Sequence, residues 1–201
     1  MIKEEILKQI KESSEVKLKL AEKCADEILQ FSELVVEAYK KGKKIILFGN
    51  GGSASDALHI AAEFVARFKL ERRSLPAIAL PANVSTITAI ANDYGYEKVF
   101  SRQIEAFGEE GDIAVAITTG TITGGPHSKN IIEGANAAKK KGMTLVGLTG
   151  KDSGLLKDIV DLEIAVPSDN SARIQESHIM IGHIMCKLVE VELFGGQSRF
   201  S

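Results

Sequence analysis

The sequence predicts an α/β fold in which a doubly wound, five-stranded parallel sheet is covered by helices on both faces. Five short, mainly apolar runs are the first observation, because strands buried on both faces lack the alternating pattern of half-exposed ones. Helical patterns lie between the runs, as expected for parallel strands joined by crossover helices. The predicted strands are Lys44–Phe48, Ala77–Leu80, Ile113–Ile117, Thr144–Leu148 and Leu162–Val166.

Helices are expected to fill most of the remaining chain. Near the N-terminus apolar residues recur every three or four positions and predict one or two helices over residues 3–41, with a possible break at Ser13-Ser14. The chain is expected to be a single domain, with this helical segment followed by an α/β core over residues 42–201. Further helices are predicted at about 97–107, 128–141 and 152–159, and at Ala172–Leu193.

The composition excludes several classes of function. The 201 residues are 44% hydrophobic and 26% charged with a net charge of −2, so no basic excess favours binding to nucleic acid or membranes. No apolar run approaches the roughly 20 residues of a membrane span, and the N-terminus lacks a secretory apolar stretch. We predict a cytoplasmic protein with no nucleic-acid and no membrane partner. Cys24 and Cys186 lie in apolar helical patterns and are predicted to be buried free thiols.

Ligands of doubly wound sheets bind at the carboxyl ends of the strands, near the point where the strand order reverses. The loop that follows the first predicted strand is rich in glycine and serine. Its glycines allow a ligand to approach the backbone, and Ser53 and Ser55 add hydroxyls beside the free N–H groups of a helix start. The loop lacks both the dinucleotide fingerprint and the P-loop pattern. It predicts an anion site, most simply for phosphate; the alternative is a tight turn in which Ser53 caps the helix.

His59 and Glu63 lie four residues apart on the helix that follows and therefore share a face. This geometry presents an imidazole and a carboxylate to one metal ion or one substrate, although an exposed pair with a weak contact is the alternative. Arg67 lies one turn further along the same face. It is a candidate to orient the carboxylate, to reach a phosphate, or to form a surface ion pair.

The segment FGNGGSASDALHIAAEF, which contains these residues, resembles the signature of the sedoheptulose 7-phosphate isomerases (phosphoheptose isomerases) of the sugar isomerase (SIS) domain superfamily. The resemblance continues through LPAIAL, TAIANDYGYEKVFSRQIEA, GMTLVGLTGKDSG and VPSDNSARIQESHIMIGHIMCKLVE, and so covers nearly the whole chain. It implies a homotetramer with active sites at subunit interfaces. It also implies interconversion of D-sedoheptulose 7-phosphate and D-glycero-D-manno-heptose 7-phosphate, the first step of bacterial heptose biosynthesis.

The resemblance also implies roles for individual residues. One zinc ion per subunit would be bound by His59, Glu63, Gln175 and His183. The reaction moves a proton between C1 and C2 of the sugar, and Glu63 with His183 are the best candidates for its acid and base. The expected substrate-binding residues are Asn50, Gly51, Gly52, Ser53, Ser55, Glu63, Asn92, Asp93, Thr118, Thr119, Gly120, Ser128 and Gln175.

Helix geometry limits how Gln175 and His183 can share one metal ion. On a straight helix they lie about 12 Å apart along the axis and roughly 80° apart around it. They meet only by leaning toward each other, or if Gln175 lies at a frayed helix start near Ala172 or Arg173. His178 lies on a different face from His183 and is predicted to be a core or interface residue.

The loop after the third strand departs from the family pattern. The family has a short Ser/Thr-rich phosphate loop there, whereas this chain has TTGTITGGPHS, about five residues longer by alignment. Three interpretations remain open: the loop still wraps a phosphate, it is remodelled for another or larger substrate, or it is an altered segment that impairs phosphate binding. His127 is a candidate extra base, although a solvated loop histidine is the simpler interpretation.

Two other functions compete with the isomerase. Some close members of the superfamily are non-catalytic tetramers that bind the replication initiator protein, and these typically lack the His/Glu set. Regulatory SIS domains sense sugar phosphates but usually carry a DNA-binding domain, for which this chain has no spare length. The presence of His59, Glu63, Gln175 and His183 favours the enzyme.

Overall fold

A five-stranded, entirely parallel sheet forms the centre of the protein, with strand order β2-β1-β3-β4-β5 in a computed structural model that describes residues 1–123, 125 and 128–195. Every predicted strand is present, with ends that differ by one residue at most, because all five runs are enclosed between helices. The strands are β1 (Ile45–Gly49), β2 (Ala77–Ala79), β3 (Ile113–Ile117), β4 (Thr144–Thr149) and β5 (Leu162–Ala165).

The helices confirm most of the predicted pattern. Three short 3-10 turns accompany them, at Leu80–Ala82, Tyr96–Lys98 and Leu155–Asp158. The last predicted helix is confirmed with one additional residue at each end. The α-helices are α1 (Ile2–Lys40), α2 (Gly52–Val65), α3 (Val84–Tyr94), α4 (Ser101–Phe107), α5 (Lys129–Lys140) and α6 (Ser171–Phe194).

The structure decides one open point of the helical pattern and differs from the prediction in three places. The N-terminal segment is one continuous helix, because Ser14 Oγ donates to the Ile10 carbonyl at 3.0 Å and Ser13 Oγ donates to Glu176 Oε2 of α6 at 2.7 Å. The hydroxyls are therefore satisfied without a break. The helix predicted at 152–159 is only a 3-10 turn, and the one at 97–107 is a 3-10 turn followed by α4. Helix α3 was not predicted; none of its residues, all of which the structure describes, is buried.

The two faces of the sheet bury separate apolar clusters. Alternate residues of β1 show this division, since Ile45 and Leu47 belong to one cluster whereas Ile46 and Phe48 belong to the other. Helices α1, α2 and α6 cover the first face, and α4 and α5 cover the second. Cys24 and Cys186 are buried free thiols in the first cluster, as predicted. In the part of the chain that the structure describes, no helix is both long enough and apolar enough to cross a membrane.

The strand order reverses beside β1. The chain passes from β1 to β2 on one side and returns to β3 on the other, so Gly49 at the end of β1 pairs with Ile117 at the end of β3. This is the position at which doubly wound folds bind their ligands. The two loops that the sequence singled out, after β1 and after β3, therefore meet.

Candidate functional site

The turn between β1 and α2 depends on two glycines for different reasons. Gly51 adopts φ 56° and ψ −120°, a conformation that residues with side chains rarely adopt. At Gly52, an added Cβ would lie 2.1 Å from Nε2 of Gln175, so the missing side chain leaves the space that Gln175 fills. Gly51 is the N-cap of α2, and no side chain within the described residues caps this helix. The alternative in which Ser53 serves as the cap is therefore wrong.

A cavity of about 220 Å³ lies where the carboxyl ends of β1 and β3 meet. The first loop contributes a side-chain amide and a buried serine, and the third loop contributes two threonines and the serine that precedes α5. Ser55, also predicted, is exposed and is not among the residues that line the cavity. The lining residues are Asn50, Ser53, Ile117, Thr118, Thr119, Gly120, Ser128 and Ile131.

A pair of reciprocal amide hydrogen bonds fixes Asn50 at this cavity. Asn50 Nδ2 donates to Asn130 Oδ1 at 2.9 Å, and Asn130 Nδ2 donates to Asn50 Oδ1 at 2.8 Å. Asn130 is 2% exposed and lies in the first turn of α5. The Tyr96 hydroxyl adds a longer bond of 3.3 Å to Asn50 Oδ1. Sequence reasoning missed Asn130; its signal is an amide in the apolar face of a helix that follows a ligand loop.

The predicted substrate residues Asn92 and Asp93 lie apart from this cavity. Both are exposed near the end of α3, where Asn92 Nδ2 donates to Asp93 Oδ1 at 2.8 Å. Neither is among the residues that line the cavity between β1 and β3.

Three predicted metal ligands converge from two helices. His59 and Glu63 lie on α2 and His183 lies on α6, and their ligand atoms all lie within 4.8 Å of one another. His59 Nε2 is 2.9 Å from His183 Nε2 and 3.1 Å from Glu63 Oε1. At this distance one imidazole must donate a proton to the other, unless a cation lies between them. Two imidazole nitrogens and a carboxylate oxygen are a donor set that suits zinc.

The close approach of α2 and α6 depends on Gly182, the neighbour of His183. An added Cβ at Gly182 would lie 2.6 Å from Cδ1 of Ile60 on α2. Because Gly182 lacks a side chain, Ile60 packs directly against the backbone of α6. Ile60 is adjacent to His59 in the chain, so this contact brings the two histidines within reach of each other.

Gln175 lies in regular helix rather than at a frayed start. Helix α6 begins at Ser171, and Asn170 caps it by accepting from the Ala172 N–H at 3.1 Å. The interpretation that placed Gln175 in a frayed first turn is therefore wrong. Its side chain packs against Gly52, and its amide lies near enough to Asp56 on α2 to favour the charged form of that carboxyl.

Asp56 is a second residue that sequence reasoning missed. It is 7% exposed, and its Oδ2 has no hydrogen-bond partner among the residues that the structure describes. Burial raises the pKa of this carboxyl to about 6, although the Gln175 amide and the charge of His59 act in the opposite direction. Asp56, His59 and Glu63 follow one helix face at positions i, i+3 and i+7, and this spacing is the signal in the sequence.

Two further predictions concern residues near the cluster. Arg67 Nε lies 3.5 Å from Glu71 Oε2, both on the surface, so of the three alternatives the structure shows the surface ion pair. His178 is fully buried and its Nε2 lies 3.0 Å from the Thr149 carbonyl oxygen, which confirms the prediction of a core residue.

The beginning of the lengthened loop is held against the loop that follows β4. Ile122 is 1% exposed; its N–H donates to the Ser153 carbonyl at 3.3 Å, and its carbonyl accepts from Leu155 N–H at 2.9 Å. Thr121 Oγ1 donates to the Asp152 carbonyl at 3.0 Å. An added Cβ at Gly154 would lie 2.1 Å from the Ile122 carbonyl oxygen, so the two segments are in tight contact. The candidate base His127, with Gly124 and Pro126, lies outside the described residues.

Comparisons with known proteins agree on one family. A family model for the SIS domain matches residues 9–150. A curated phosphoheptose isomerase from Clostridium acetobutylicum is 50% identical over 189 residues, which cover 93% of this chain and 94% of the relative. Another, from Sulfurimonas denitrificans, is 49% identical over 196 residues, covering 96% and 98% of the two chains.

Solved structures give the same result. The phosphoheptose isomerase from Francisella tularensis superposes with a TM-score of 0.88 at 35% identity, covering 94% of this chain and 98% of that one. For the phosphoheptose isomerase from Neisseria gonorrhoeae the TM-score is 0.86 at 36% identity, with coverage of 94% and 99%.

Proposed function

The chain belongs to the phosphoheptose isomerases of the SIS-domain family and is therefore an aldose–ketose isomerase of sedoheptulose 7-phosphate, and we propose that Glu63 and His183 transfer its proton. The product of this reaction is D-glycero-D-manno-heptose 7-phosphate. The single observation that carries the proposal is the convergence of His59, Glu63 and His183 from two helices, beside a cavity lined with hydroxyls.

The isomerisation moves a proton between C1 and C2 through an enediol, which requires a base at the carbon and a proton donor at the oxygens. The Glu63 side chain is 23% exposed and its Oε1 lies 3.1 Å from His59 Nε2; because a carboxylate can accept a proton, we assign Glu63 the role of base. His183 faces Glu63 across His59 and is assigned the proton transfer at the oxygens. An acid–base pair of this kind contributes typically 10²–10⁴-fold to the rate.

We propose that one zinc ion per subunit is held by His59, Glu63, His183 and Gln175. The first three are supported by their convergence, and Gln175 by its place beside Asp56 on the same side of α2. Zinc bound there supplies positive charge that polarises the carbonyl of the sugar. The absence of a side chain at Gly52 leaves the space that the Gln175 amide occupies in this arrangement.

The phosphate is proposed to bind in the cavity between β1 and β3, through Ser53, Thr118, Thr119, Gly120 and Ser128. Ser53 and His59 lie about 9 Å apart along α2, since a helix rises about 1.5 Å per residue. This separation matches the distance between the reacting carbons and the phosphate of an extended seven-carbon sugar. Of the three interpretations of the lengthened loop, retained phosphate binding has the most support, because both of its ends line this cavity.

The remaining substrate contacts are proposed from the family resemblance together with position. Asn50 lines the cavity and Gly52 lies against Gln175; we propose that these two residues, with Gly51 between them in the chain, contact the sugar hydroxyls. Ser55, Asn92 and Asp93 are exposed in this chain. Their proposed role in substrate binding therefore requires that the substrate, or a second subunit, reaches the surface on which these three residues lie.

We propose a homotetramer in the cytoplasm. Helix α1 exposes Ile2, Ile6, Leu7, Ile10 and Leu18, and α3 contains no buried residue in the described chain, so both helices present surface that a second copy could cover. A cytoplasmic location fits a sugar phosphate, whose charge opposes passage through a bilayer. A light-scattering mass of four chains would support the assembly, and a mass of one chain would refute it.

The test of the function is turnover of the purified protein. We expect sedoheptulose 7-phosphate to be converted to the aldose 7-phosphate, detected by anion chromatography, and we expect a zinc chelator to abolish the conversion. Zinc added back should restore it. A protein that leaves sedoheptulose 7-phosphate unchanged with added zinc would refute the isomerase and favour the non-catalytic alternative, in which a SIS-domain tetramer binds a protein such as the replication initiator. The preserved metal cluster favours the enzyme.

A further inference from the structure

A fully buried ion pair lies between the end of α2 and the second half of α6. Arg72 Nε is 2.9 Å from Glu190 Oε1, and the two side chains are 0% and 1% exposed. Removing two charges from water is costly unless further hydrogen bonds compensate both partners. Here both partners have such bonds. Arg72 also binds the backbone of Glu63, and Glu190 also binds the backbone of Phe68, whose ring contacts His183.

Arg72 holds the last turn of α2. Its Nη2 donates to the carbonyl oxygen of Glu63 at 2.8 Å, and its Nη1 donates to that of Phe64 at 2.9 Å. Carbonyl groups in the last turn of a helix have no partner within the helix and need an external donor. The guanidinium therefore binds the backbone of Glu63, the proposed base.

Glu190 holds the segment that follows α2. Its Oε1 accepts from the Phe68 N–H at 2.8 Å, and its Oε2 accepts from the N–H groups of Lys69 and Leu70 at 2.9 and 3.1 Å. These three hydrogen bonds and Arg72 hold the pKa of the Glu190 carboxyl below its ordinary value, against the effect of burial. The backbone of Phe68 is thereby fixed to α6.

The ring of Phe68 lies flat against the imidazole of His183. The ring centroids are 5.4 Å apart and the planes are inclined by 14°, an offset-stacked arrangement. His183 and Glu190 lie seven residues apart on α6 and therefore share a face. Glu190 thus fixes the backbone of Phe68, and His183 contacts its ring.

We propose that Phe68 is a positioning residue that sets the plane of the His183 imidazole and that the Arg72–Glu190 pair holds Phe68 in place. The inference rests on the proposed function, in which His183 binds zinc and transfers a proton. An imidazole that is free to rotate about its Cβ–Cγ bond points its Nε2 toward His59 and Glu63 only part of the time. The stacked ring removes that freedom, as outer contacts of metal-binding histidines generally do.

The test compares Phe68→Leu, which keeps apolar volume but removes the ring, with Phe68→Tyr, which retains the ring. Phe107→Leu is the matched control, because Phe107 is 48% exposed on α4, away from the cluster. Zinc affinity is measured by competition with a chromophoric chelator, and kcat and KM are measured separately. We expect Phe68→Leu to weaken zinc binding and to lower kcat, each by about tenfold, with KM changed less than twofold. Phe68→Tyr and Phe107→Leu should behave as wild type.

Two results would overturn the inference without touching the proposed function. The first is a wild type that turns over and binds zinc while Phe68→Leu equals it in both. The second is a loss in Phe68→Leu that Phe107→Leu reproduces. A wild type that neither turns over nor binds zinc would instead refute the proposed function, and the inference with it. Should Phe68→Leu fail to fold by circular dichroism, Phe68→Met replaces it under the same criteria.

Discussion

The Nε2 atoms of His59 and His183 lie 2.9 Å apart, although 124 positions separate the two residues in the chain. The contact joins the second turn of α2 to the middle of α6, and it exists because Gly182 lets Ile60 pack against the α6 backbone. The donor set that suits zinc is thus a property of the packed helix pair. Its individual members are otherwise unremarkable polar residues on helix surfaces.

Replacing the carboxylate of Glu63 should abolish most of the catalysis. In Glu63→Gln the side chain keeps its size but no longer accepts a proton, so we expect kcat to fall by about 10²–10⁴-fold with an unchanged circular dichroism spectrum. The measurement is steady-state isomerisation of sedoheptulose 7-phosphate. Glu71→Gln, which alters an exposed carboxylate in the segment after α2, is the control and should retain activity. Wild-type turnover in Glu63→Gln would remove Glu63 from the mechanism.

Zinc should stabilise the folded protein through the same cluster. A ligand that binds only the folded state at 100 times its Kd raises the free energy of unfolding by about 2.7 kcal/mol. We therefore expect the Tm to rise by several degrees on addition of zinc to the chelator-treated protein. In His59→Ala, which loses one donor, the rise should shrink or vanish. An equal rise in both proteins would place the zinc elsewhere.

Loss of the Asn130 amide should weaken substrate binding. Asn130→Ala leaves the Asn50 side chain without its reciprocal partner, and an unsatisfied buried polar group costs about 1–3 kcal/mol. We expect KM to rise by roughly 5–150-fold and kcat to change less, because Asn50 lines the proposed phosphate cavity and is not part of the acid–base pair. Tyr96→Phe removes only the longer 3.3 Å bond and should have a much smaller effect. Equal KM values in the two variants would contradict this assignment.

Adding one methyl group at Gly52 should lower the activity while leaving the stability of the fold unchanged. The new Cβ would overlap the amide end of Gln175, which is the flexible tip of a side chain and can move aside at little cost to stability. In Gly52→Ala we expect a Tm close to that of wild type and a fall in kcat of at least tenfold, because Gln175 loses its position beside Asp56. Gly125→Ala is the comparison, since the nearest atom to an added Cβ there is Thr123 Oγ1 at 3.9 Å, an ordinary contact distance. Full activity of Gly52→Ala would show that the place of Gln175 is unimportant.

The stability of the fold should decrease in mild acid because of His178. Burial lowers the pKa of this imidazole to about 4, and its bond to the Thr149 carbonyl opposes the shift only in part. Between pH 6.5 and 4 the unfolded chain binds the proton that the folded chain excludes, so the free energy of unfolding falls as the pH falls. For a pKa shift of this size, the free energy of unfolding falls in total by on the order of 3 kcal/mol.

Urea unfolding at pH 7.5 and pH 5 measures this effect. His178→Gln retains a side-chain donor for Thr149 but does not titrate, so its loss of stability between the two pH values should be smaller than that of wild type. The comparison between the two proteins cancels the contribution of other groups. Asp56 is one of these groups, and its raised pKa makes the free energy of unfolding rise as the pH falls. Identical pH dependence in wild type and His178→Gln would contradict the prediction.

Sequence reasoning recovered the elements whose signals are local. Each strand of the sheet was predictable because a short, mainly apolar run between helical patterns is typical of a parallel sheet covered on both faces. The face shared by His59 and Glu63 follows from helical periodicity alone, and the hydroxyl-rich loops follow from their composition. Helix α3 was missed although Ile87, Ile90 and Ala91 recur at helical spacing; in the structure they are only partly buried against the second cluster.

What the tertiary structure decided are the contacts between residues far apart in the chain. No periodicity in the sequence predicts these contacts. They are the pairing of Asn50 with Asn130, the packing of α2 on α6 at Gly182, and the stacking of Phe68 on His183. Each depends on which helices pack together and on a missing or fixed side chain at the contact. The amino-acid sequence by itself therefore determined the sheet, the family and most candidate residues, whereas the orientation of those residues toward one another arises only when the two helices pack.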